Sequence, residues 1–511
     1  MHGITLSVLS FTFGQSDCYR KQTLYRLQSW FRAGESADDF VVGSTAEIQA
    51  SSGLFMFFDA AGNMTQTPQT VNLTWGAGNP FQPAVSQISN ATVVIAGKTQ
   101  PESVLVVLNA PDGFTSNLYG KSLSDVKELI GQNYASSEAG KFVMSNSVYK
   151  EDGKLQCETV IKNNVYKTRE EAIAKPADIY VERVLAKVSA TWSADFTVAD
   201  SELDGFNGTE ATIKLTPVVT GIEVANMSQT AYLCKNATGF DSYEWAWDSK
   251  NKRSYWETTP DKDQVYGNKS YTAIATDFTK GEAFTTYMLP NTNMLQKTSI
   301  LVTAELQKDG KAYDLCRHNG IYYDPAEFIK HYAQLAANEG FLVETAANEG
   351  EANHYRNIDE KCFTWMDETT RKQYLMSETN ADGIEAWENT AVFKPIEGNK
   401  YVKRTIGDNG EVTYPAVETD EINEFLRKPI NRVWYWKGGK SYYFVDIDQT
   451  PLVNADADAG TAAVAAHTYD GVVRNHVYKL NLNSLKGLGT PVFDPTEIII
   501  PEKPEVELWY L

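Results

Sequence analysis

Histidine is the side chain used most often in acid–base and metal chemistry, and this sequence contains only six of them: His2, His318, His331, His354, His467 and His476. None forms an H-E-x-x-H pair, and no two lie at a metal-ligand spacing. A G-x-S-x-G nucleophile elbow and a phosphate-binding loop are absent from the sequence as well. His476 follows Arg474 and Asn475 inside an apolar stretch, which indicates a structural role. We therefore expect no enzyme activity, no cofactor and no metal site.

Carboxylates are abundant, with 66 Asp and Glu residues, so their spacing neither selects nor rejects a glycosidase pair. Residues 454–460 alternate side-chain oxygens as the start of a calcium loop does. The glutamate expected near the end of such a loop is replaced by Ala466. We expect a solvated surface loop there, and the question of a bound cation stays open.

Three adjacent aromatic residues, Trp434, Tyr435 and Trp436, allow two interpretations. They could form a platform on which sugars stack. Neighbouring residues of a strand point to opposite faces, so packing in the core and at a sheet edge is the simpler interpretation.

The five cysteines lie far apart and form no C-x-x-C pair; they are Cys18, Cys157, Cys234, Cys316 and Cys362. Neither a zinc cluster nor a thioredoxin-type motif fits this spacing. We expect buried free thiols, since unpaired cysteine is usually a small core residue.

Composition limits the class of protein. With 46 basic and 66 acidic residues the net charge is −20, which argues against nucleic acid or an anionic membrane surface as a partner. No apolar run approaches the length of a membrane-spanning helix. A chain of 511 residues predicts more than one domain.

Short strands dominate the pattern. The sequence predicts strands at 54–59, 104–108, 142–149, 179–192, 213–226, 299–306, 442–447 and 477–483. In the last of these apolar and polar residues alternate, which is typical of an antiparallel or edge strand.

Helices are few. Ser122 and Asp125 predict a helix start that continues through Ile130, and Asp324 with Pro325 predicts another that ends before Gly340. Residues 354–376 and 419–427 are further helix candidates. A polar, acidic stretch at 193–209 predicts a domain boundary, and the whole pattern indicates sandwich domains with inserted helices.

The first residues form an apolar and hydroxyl-rich stretch, Ile4–Phe13, with no basic residue before it. A secretory signal would have a basic start and a small-residue cleavage site. The alternation of Ile4, Leu6 and Val8 with Thr5 and Ser7 predicts a β-strand.

Several segments, in this order, resemble the shaft subunits of the type V fimbriae of Bacteroidales, the major- and minor-fimbrium pilin families. These segments are LFMFFDAAGN (54–63), VLVVLNAP (104–111), KFVMSNSVY (141–149), VERVLAKV (181–188), GVVRNHVYKLNLNSLKGLGTP (471–491) and PEKPEVELWYL (501–511). The fifth segment is the most specific and is closer to the minor-fimbrium type. The resemblance runs from about residue 33 to 511 and is loose over 240–430.

The resemblance implies a mainly β fold: two transthyretin-like antiparallel β-sandwich domains with a few inserted helices. We expect an N-terminal strand and propeptide-like segment at 1–32, a first sandwich at 33–195 and a second at 196–511 with helical insertions. The implied role is a structural subunit of a cell-surface fimbrium that supports adhesion. Such subunits are made as lipoprotein precursors and reach the outer membrane.

Assembly in this family depends on an Arg-specific protease. It cuts a loop after the first strand, and a strand from the C-terminus of another copy or another fimbrial subunit fills the groove that the lost strand leaves. Arg32 followed by Ala33 and Gly34 matches the family's cut site. Ile4, Leu6 and Val8 would then face the core in the exchanged strand.

Two features depart from the family. A lipoprotein signal with its acylated cysteine and the C-terminal donor segment are both missing from this sequence. We expect the given chain to accept a strand, whereas its capacity to donate one is in doubt. The alternative is an accessory or tip adhesin that binds a glycan or a host or bacterial surface protein.

Overall fold

A computed structural model describes most of the chain. The described residues are 6–16, 19–24, 40–41, 44–73, 75–77, 85–96, 99–132, 134–151, 154–198, 201–203, 206–207, 212–238, 257–260, 265–275, 284–293, 296–367, 393–426, 428–431, 433–447 and 471–501. Elements are numbered in chain order.

The first structural unit is built on a nine-stranded sheet. In spatial order its strands are β5 (Gln69–Asn72), β4 (Ser52–Phe58), β8 (Ser103–Leu108), β10 (Met144–Asn146), β14 (Ala177–Arg183), β1 (Leu6–Ser16), β7 (Val85–Ala96) and β6 (Trp75–Ala77), with β13 (Thr159–Val160) on β8. β11 (Tyr149–Glu151) and β12 (Lys154–Gln156) form a separate two-stranded hairpin that follows β10 in the chain. The core gathers the apolar runs of β4 and β8, whose residues from Leu54 to Phe58 and from Val104 to Leu108 are fully buried.

The second unit consists of two sheets around a separate core. One sheet has the order β22 (Phe284–Met288), β15 (Ala186–Val198), β37 (Val477–Leu485), β2 (Tyr19–Leu24) and β3 (Phe40–Val41). The other has the order β16 (Ser201–Leu203), β18 (Ile213–Ala225), β23 (Ser299–Lys308), β36 (Lys440–Asp446) and β38 (Thr490–Pro491), with β24 (Lys311–Ala312) on β23. Side chains of both sheets, among them Val188, Ile300 and Tyr478, meet in this core. That arrangement is a β-sandwich.

Most of an inserted lobe comes from residues between β23 and β36 in the chain, and one strand that precedes β23 joins it. It contains the sheet β17 (Phe206–Asn207), β26 (Ile321–Tyr323), β25 (Leu315–His318) and β35 (Trp434–Trp436), and the sheet β28 (Tyr355–Asn357), β27 (Phe341–Glu344), β31 (Tyr401–Lys403) and β34 (Ala416–Val417). Two-stranded pairs are β29 (Phe363–Trp365) with β30 (Phe393–Pro395), β32 (Thr405–Ile406) with β33 (Val412–Thr413), β19 (Met227–Ser228) with β21 (Val265–Tyr266), and β9 (Ile130–Gly131) with β20 (Ala231–Tyr232). The last two pairs lie outside the lobe.

Helices are short and few among the described residues. They are α1 (Thr45–Ile48), α2 (Leu123–Lys127), α3 (Arg169–Ala174), α4 (Tyr271–Ile274), α5 (Pro325–Asn338) and α6 (Thr419–Leu426), with 3₁₀ turns at Phe114–Asn117, Glu360–Cys362, Pro429–Asn431 and Lys437–Gly439. Within the described part of the chain, none is long and apolar enough to cross a membrane.

The predicted mainly β fold with a few inserted helices is confirmed. The two predicted helix starts are confirmed. Ser122 and Asp125 form a capping box on α2, and Asp324 caps α5 with Pro325 in its first turn. Helix α2 ends at Lys127, however, because the chain then enters β9. The predicted helix at 354–376 is wrong over its described part, where β28, a 3₁₀ turn and β29 occur instead.

Strand pairing departs from the antiparallel expectation at four places. β1 runs parallel to β14, β2 and β15 both run parallel to β37, and β17 runs parallel to β26. The alternation in β37 arises because Tyr478 and Leu480 face the core of the second unit while Asn483 is exposed. β37 can have parallel neighbours and still expose one side to solvent, because its sheet contains both parallel and antiparallel pairs.

The chain passes from the first core to the second between Leu185 and Ala186. The predicted strand at 179–192 is thus two strands, β14 and β15, and the expected boundary after residue 195 falls inside β15.

Candidate functional site: the N-terminal strands and the junction of the two units

The first strand occupies an interior position in the nine-stranded sheet. β1 pairs in parallel with β14 from Phe11 opposite Ala177 to Gln15 opposite Val181, and antiparallel with β7 along its whole length. Both of its edges are therefore hydrogen-bonded to other strands. In the described sheet, β1 is the link that joins the pair β7–β6 to the remaining strands.

The two strands that flank β1, β14 and β7, contribute buried apolar side chains. Ala177, Ile179 and Val181 of β14 are buried, as are Val93 and Ile95 of β7. The intervening Asp178 is exposed, so β14 shows the alternation of a strand with one core face. Helix α3 lies against β1 and β7, and its Ala172 is buried.

The register of β1 is defined by its partners in β7 and β14. Val8 is opposite Val94, which is 46% exposed, whereas Leu9 is opposite Val93, which is 1% exposed. Phe13 is opposite the buried Ile179. Directly opposed residues lie on the same face of a sheet, and the expectation that Ile4, Leu6 and Val8 face the core stays a prediction. Ile4 lies outside the described residues.

A second N-terminal strand, β2, joins the other unit, and sequence reasoning missed it. Its residues Lys21 to Leu24 pair in parallel with Val477 to Leu480 of β37. The sequence of β2, YRKQTL, has an apolar residue only at each end, so hydrophobic periodicity gives no strand signal there. One N-terminal segment thus contributes a strand to each of the two units.

The predicted cleavage position, Arg32 and Ala33, lies outside the described residues. It falls in the segment between β2 and β3, the next strand in the chain. The acidic loop at 454–460 also lies outside the described residues.

The three adjacent aromatics are packing residues. Trp436 is 3% exposed, and its Nε1 donates a hydrogen bond to the carbonyl oxygen of Gly489 at 3.2 Å. Tyr435 is buried against the ring of Trp365, with centroids 4.9 Å apart, and Trp434 is half-buried. Trp436 therefore offers no face on which a sugar could stack.

The buried carboxylate of Glu47 links α1 to the start of the second unit. The Glu47 carboxylate accepts hydrogen bonds from Lys187 Nζ at 2.8 Å, from the Tyr287 hydroxyl at 2.6 Å and from the backbone N–H of Ser44 at 2.5 Å. Burial raises the pKa of Glu47, but these three donors outweigh it and lower the pKa to about 2. Glu47 is therefore ionised at neutral pH.

Two buried arginines mark the junction itself. Arg183, at the end of β14, donates from Nε to the carbonyl oxygen of Glu47 at 2.7 Å and from Nη1 to Asn475 Oδ1 at 3.1 Å. Arg474 pairs with Glu257, with Nε 2.7 Å from Oε2. Asn475 adopts a positive φ of 56°, a conformation that asparagine tolerates better than most residues.

The same junction holds the segment around residues 231–237. Arg474 donates from Nη1 to the carbonyl oxygen of Leu233 at 3.0 Å and from Nη2 to that of Tyr232 at 2.7 Å. Lys235 Nζ lies 3.0 Å from Glu182 Oε2, and both side chains are almost fully buried. Leu233 packs in the core of the first unit, so this segment belongs to the first unit although it follows β18 of the second.

The histidines that the structure describes are His318, His331, His354 and His476. His476 is buried, with Nδ1 2.7 Å from the carbonyl oxygen of Arg474, as its predicted structural role requires. In the inserted lobe His331 Nε2 lies 3.0 Å from His318 Nδ1, a proximity that the sequence did not show. Burial lowers the pKa of both rings, and the neighbouring His331 lowers that of His318 further. Among the described residues, no three His, Cys, Asp or Glu side chains are grouped to hold a metal ion.

No family model matches the sequence, and no curated protein matches it. The structure is similar to a candidate cell adhesion protein from Bacteroides eggerthii (15% identity, 60% of this chain and 77% of that one, TM-score 0.29). It is also similar to a fimbrial assembly protein from Parabacteroides distasonis (14% identity, 60% and 84%, TM-score 0.31). A third similar structure is the C-terminally truncated tip fimbrial protein from Porphyromonas gingivalis (11% identity, 60% and 83%, TM-score 0.28).

Proposed function

We propose that this chain is a structural subunit of a cell-surface fimbrium, exported as a lipoprotein precursor to the outer membrane and joined to other subunits by donor-strand exchange. Its role is mechanical and adhesive, with no catalysis. The ordered sequence segments that resemble the fimbrial pilins support this proposal. The position of β1 carries it.

An interior strand near the N-terminus suits exchange because one cut makes it removable. β1 is held on both sides by main-chain hydrogen bonds to β7 and β14, and its covalent connection to the rest of the chain runs through the segment that contains Arg32. Cleavage there by an Arg-specific protease turns an intramolecular strand into a separate peptide. Such a peptide is held only by mass action and can be replaced.

The incoming strand would meet defined chemical requirements. It must pair with the two edges left by β7 and β14 and supply apolar side chains at the positions opposite Val93, Ala177 and Ile179. The pairing of β2 with β37 extends the vacated path into the second unit. A donor from another subunit therefore needs two strand segments, matching 6–16 and 19–24.

Cleavage at Arg32 is tested by N-terminal sequencing after treatment of the full chain with an Arg-specific protease. We expect a new N-terminus at Ala33. The matched pair of variants is Arg32→Ala, which should lose this product, and Arg26→Ala, which should retain it. If Ala33 never appears while the rest of the chain stays intact, the processing step is refuted.

Assembly is tested on the same samples by native gel electrophoresis and negative-stain microscopy. Cleaved chain supplied with a peptide or subunit that carries a donor strand should form complexes, and the triple variant Arg20→Ala/Arg26→Ala/Arg32→Ala, which has no arginine between β1 and β3, should stay monomeric after the same treatment. Equal assembly by both samples would contradict strand exchange.

A further inference from the structure

Two of the buried cysteines, Cys157 and Cys234, meet in the core of the first unit. Cys157 directly follows β12 and Cys234 lies two residues after β20. Both are buried in the same core cluster, and their side chains lie within interaction range of each other. The sequence alone separates them by almost eighty positions, so only the fold brings them together.

Contacts to a third strand fix this proximity independently. The Cys157 sulfur lies 4.0 Å from the carbonyl oxygen of Asn146 in β10. The neighbouring Ser145 donates its hydroxyl to the carbonyl oxygen of Leu233 at 2.7 Å, and Leu233 precedes Cys234. β10 therefore holds the two cysteine-bearing segments side by side.

The two thiols differ in acidity. The hydrogen bond from Cys157 lowers the pKa of Cys234 against the effect of burial, and the positive charge of Arg474 lowers it further. The hydrogen bond to Cys234, together with burial, raises the pKa of Cys157. In the folded chain Cys234 therefore carries the more acidic thiol of the pair.

We infer that Cys157 and Cys234 form a disulfide bond when the chain folds in an oxidising compartment. The oxidant is a disulfide, either of small-molecule type or on a thiol oxidoreductase. The thiolate of one cysteine attacks it, which forms a mixed disulfide and releases one thiolate. The other cysteine, after losing its proton, attacks the protein sulfur of the mixed disulfide and releases the second, so that one protein dithiol and one disulfide become one protein disulfide and two thiols.

Burial sets the order of events. Both sulfurs are closed to a bulky oxidant in the folded chain, so the exchange takes place before the segment around residues 231–237 docks. The bond would then tie that segment, which carries the Lys235–Glu182 and Arg474 contacts, to the first unit. It constrains a long loop, from residue 157 to residue 234, in the unfolded chain.

The test uses the full chain with Cys18→Ser, which leaves four cysteines, all buried. The protein is refolded with reduced and oxidised glutathione, alkylated in denaturant and analysed by intact mass and peptide mapping. We expect two of the four thiols to escape alkylation, the mass before alkylation to be about 2 Da lower because two hydrogens leave, and a cross-linked peptide pair containing Cys157 and Cys234 to appear. The added variant Cys316→Ser should keep this loss, and Cys157→Ser should abolish it.

Refolded protein in which all four thiols react, or in which another pair is linked, would overturn the inference. Melting gives a second readout that needs no variant: reduction should lower the melting temperature of the linked protein by about 5 °C. An unchanged melting temperature after complete reduction would count against a stabilising bond. If Cys157→Ser fails to fold, Cys157→Ala serves as its replacement.

Discussion

Glu47 is the residue whose protonation is coupled most clearly to folding. Its pKa of about 2 in the folded chain is below the ordinary value of 4.5, so the folded state binds fewer protons than the unfolded state between these values. The stability that Glu47 contributes is present in full above about pH 4.5 and is lost as the pH falls towards about 2.

Replacing Glu47 by glutamine removes the ion pair with Lys187 while keeping the size of the side chain. We expect the variant to lose about 2 kcal/mol of unfolding free energy at pH 7, since a buried charge partner is lost. In urea titrations this difference should shrink as the pH falls below about 4.5. The matched control is Glu138→Gln, which breaks the exposed pair with Lys141 and should change little. A Glu47→Gln effect that stays the same at pH 7 and pH 3 would contradict this account.

The histidine pair of the inserted lobe predicts a second dependence of stability on pH. This loss of stability begins at a higher pH than the loss that involves Glu47. The pKa values of His318 and His331 lie below the ordinary 6.5, so the unfolded chain takes up protons first as the pH falls. Stability should decline below about pH 6.5. His331→Gln should reduce this decline, measured by denaturant unfolding at pH 7.5 and pH 5.5. Equal declines in the wild type and the variant would show that the pair is not responsible.

At the scale of the element, the register of β1 makes a sharp prediction for two adjacent positions. Leu9 is opposite a buried valine and Val8 is opposite an exposed one. We expect Leu9→Asn to lower the unfolding free energy by about 2–4 kcal/mol, and Val8→Asn to cost less than about 1 kcal/mol. Chemical denaturation of the uncut chain measures both. The reverse order would support the alternation predicted from Ile4, Leu6 and Val8.

Strands with strong local patterns could be predicted from the sequence, and strands defined by distant partners could not. The apolar runs of β4 and β8 and the caps of α2 and α5 are local signals, and the structure confirms them. β2 has no such pattern, and its partner β37 lies more than four hundred residues away in the chain. The pairing of β1 with β7 and β14 depends on strands distant in sequence, which the residues of β1 alone do not specify.

At the scale of the whole molecule, the junction should make the two units unfold together. Arg474 is fully buried and joins Glu257 to the segment around residue 233, which packs in the first core. We expect Arg474→Ala to cost about 3–5 kcal/mol, because the buried Glu257 is left without its partner. The half-exposed pair of Arg356 with Asp359 provides the control, and Arg356→Ala should cost less than about 1 kcal/mol. Calorimetry checks both variants. Two separate transitions in the wild type would contradict a rigid junction.

The domain boundary shows why the organisation of the molecule was harder to predict than its elements. A polar stretch at 193–209 resembles a linker, yet β15 continues through Val198 and belongs to the second unit from Ala186 onward. The segment around residues 231–237 returns to the first core, and the buried ion pairs that hold it there join residues distant in sequence.

The central claim is that the N-terminal strands become exchangeable once the chain is cut at Arg32. The most direct measurement is fluorescence anisotropy of a labelled peptide that copies residues 4–24, added to cut and to uncut protein. We predict saturable binding to cut protein from which residues 1–32 have been removed, and none to the uncut chain, in which the tethered strands occupy the same positions. Equal binding to both samples, or no binding to the folded, stripped protein, would contradict the account.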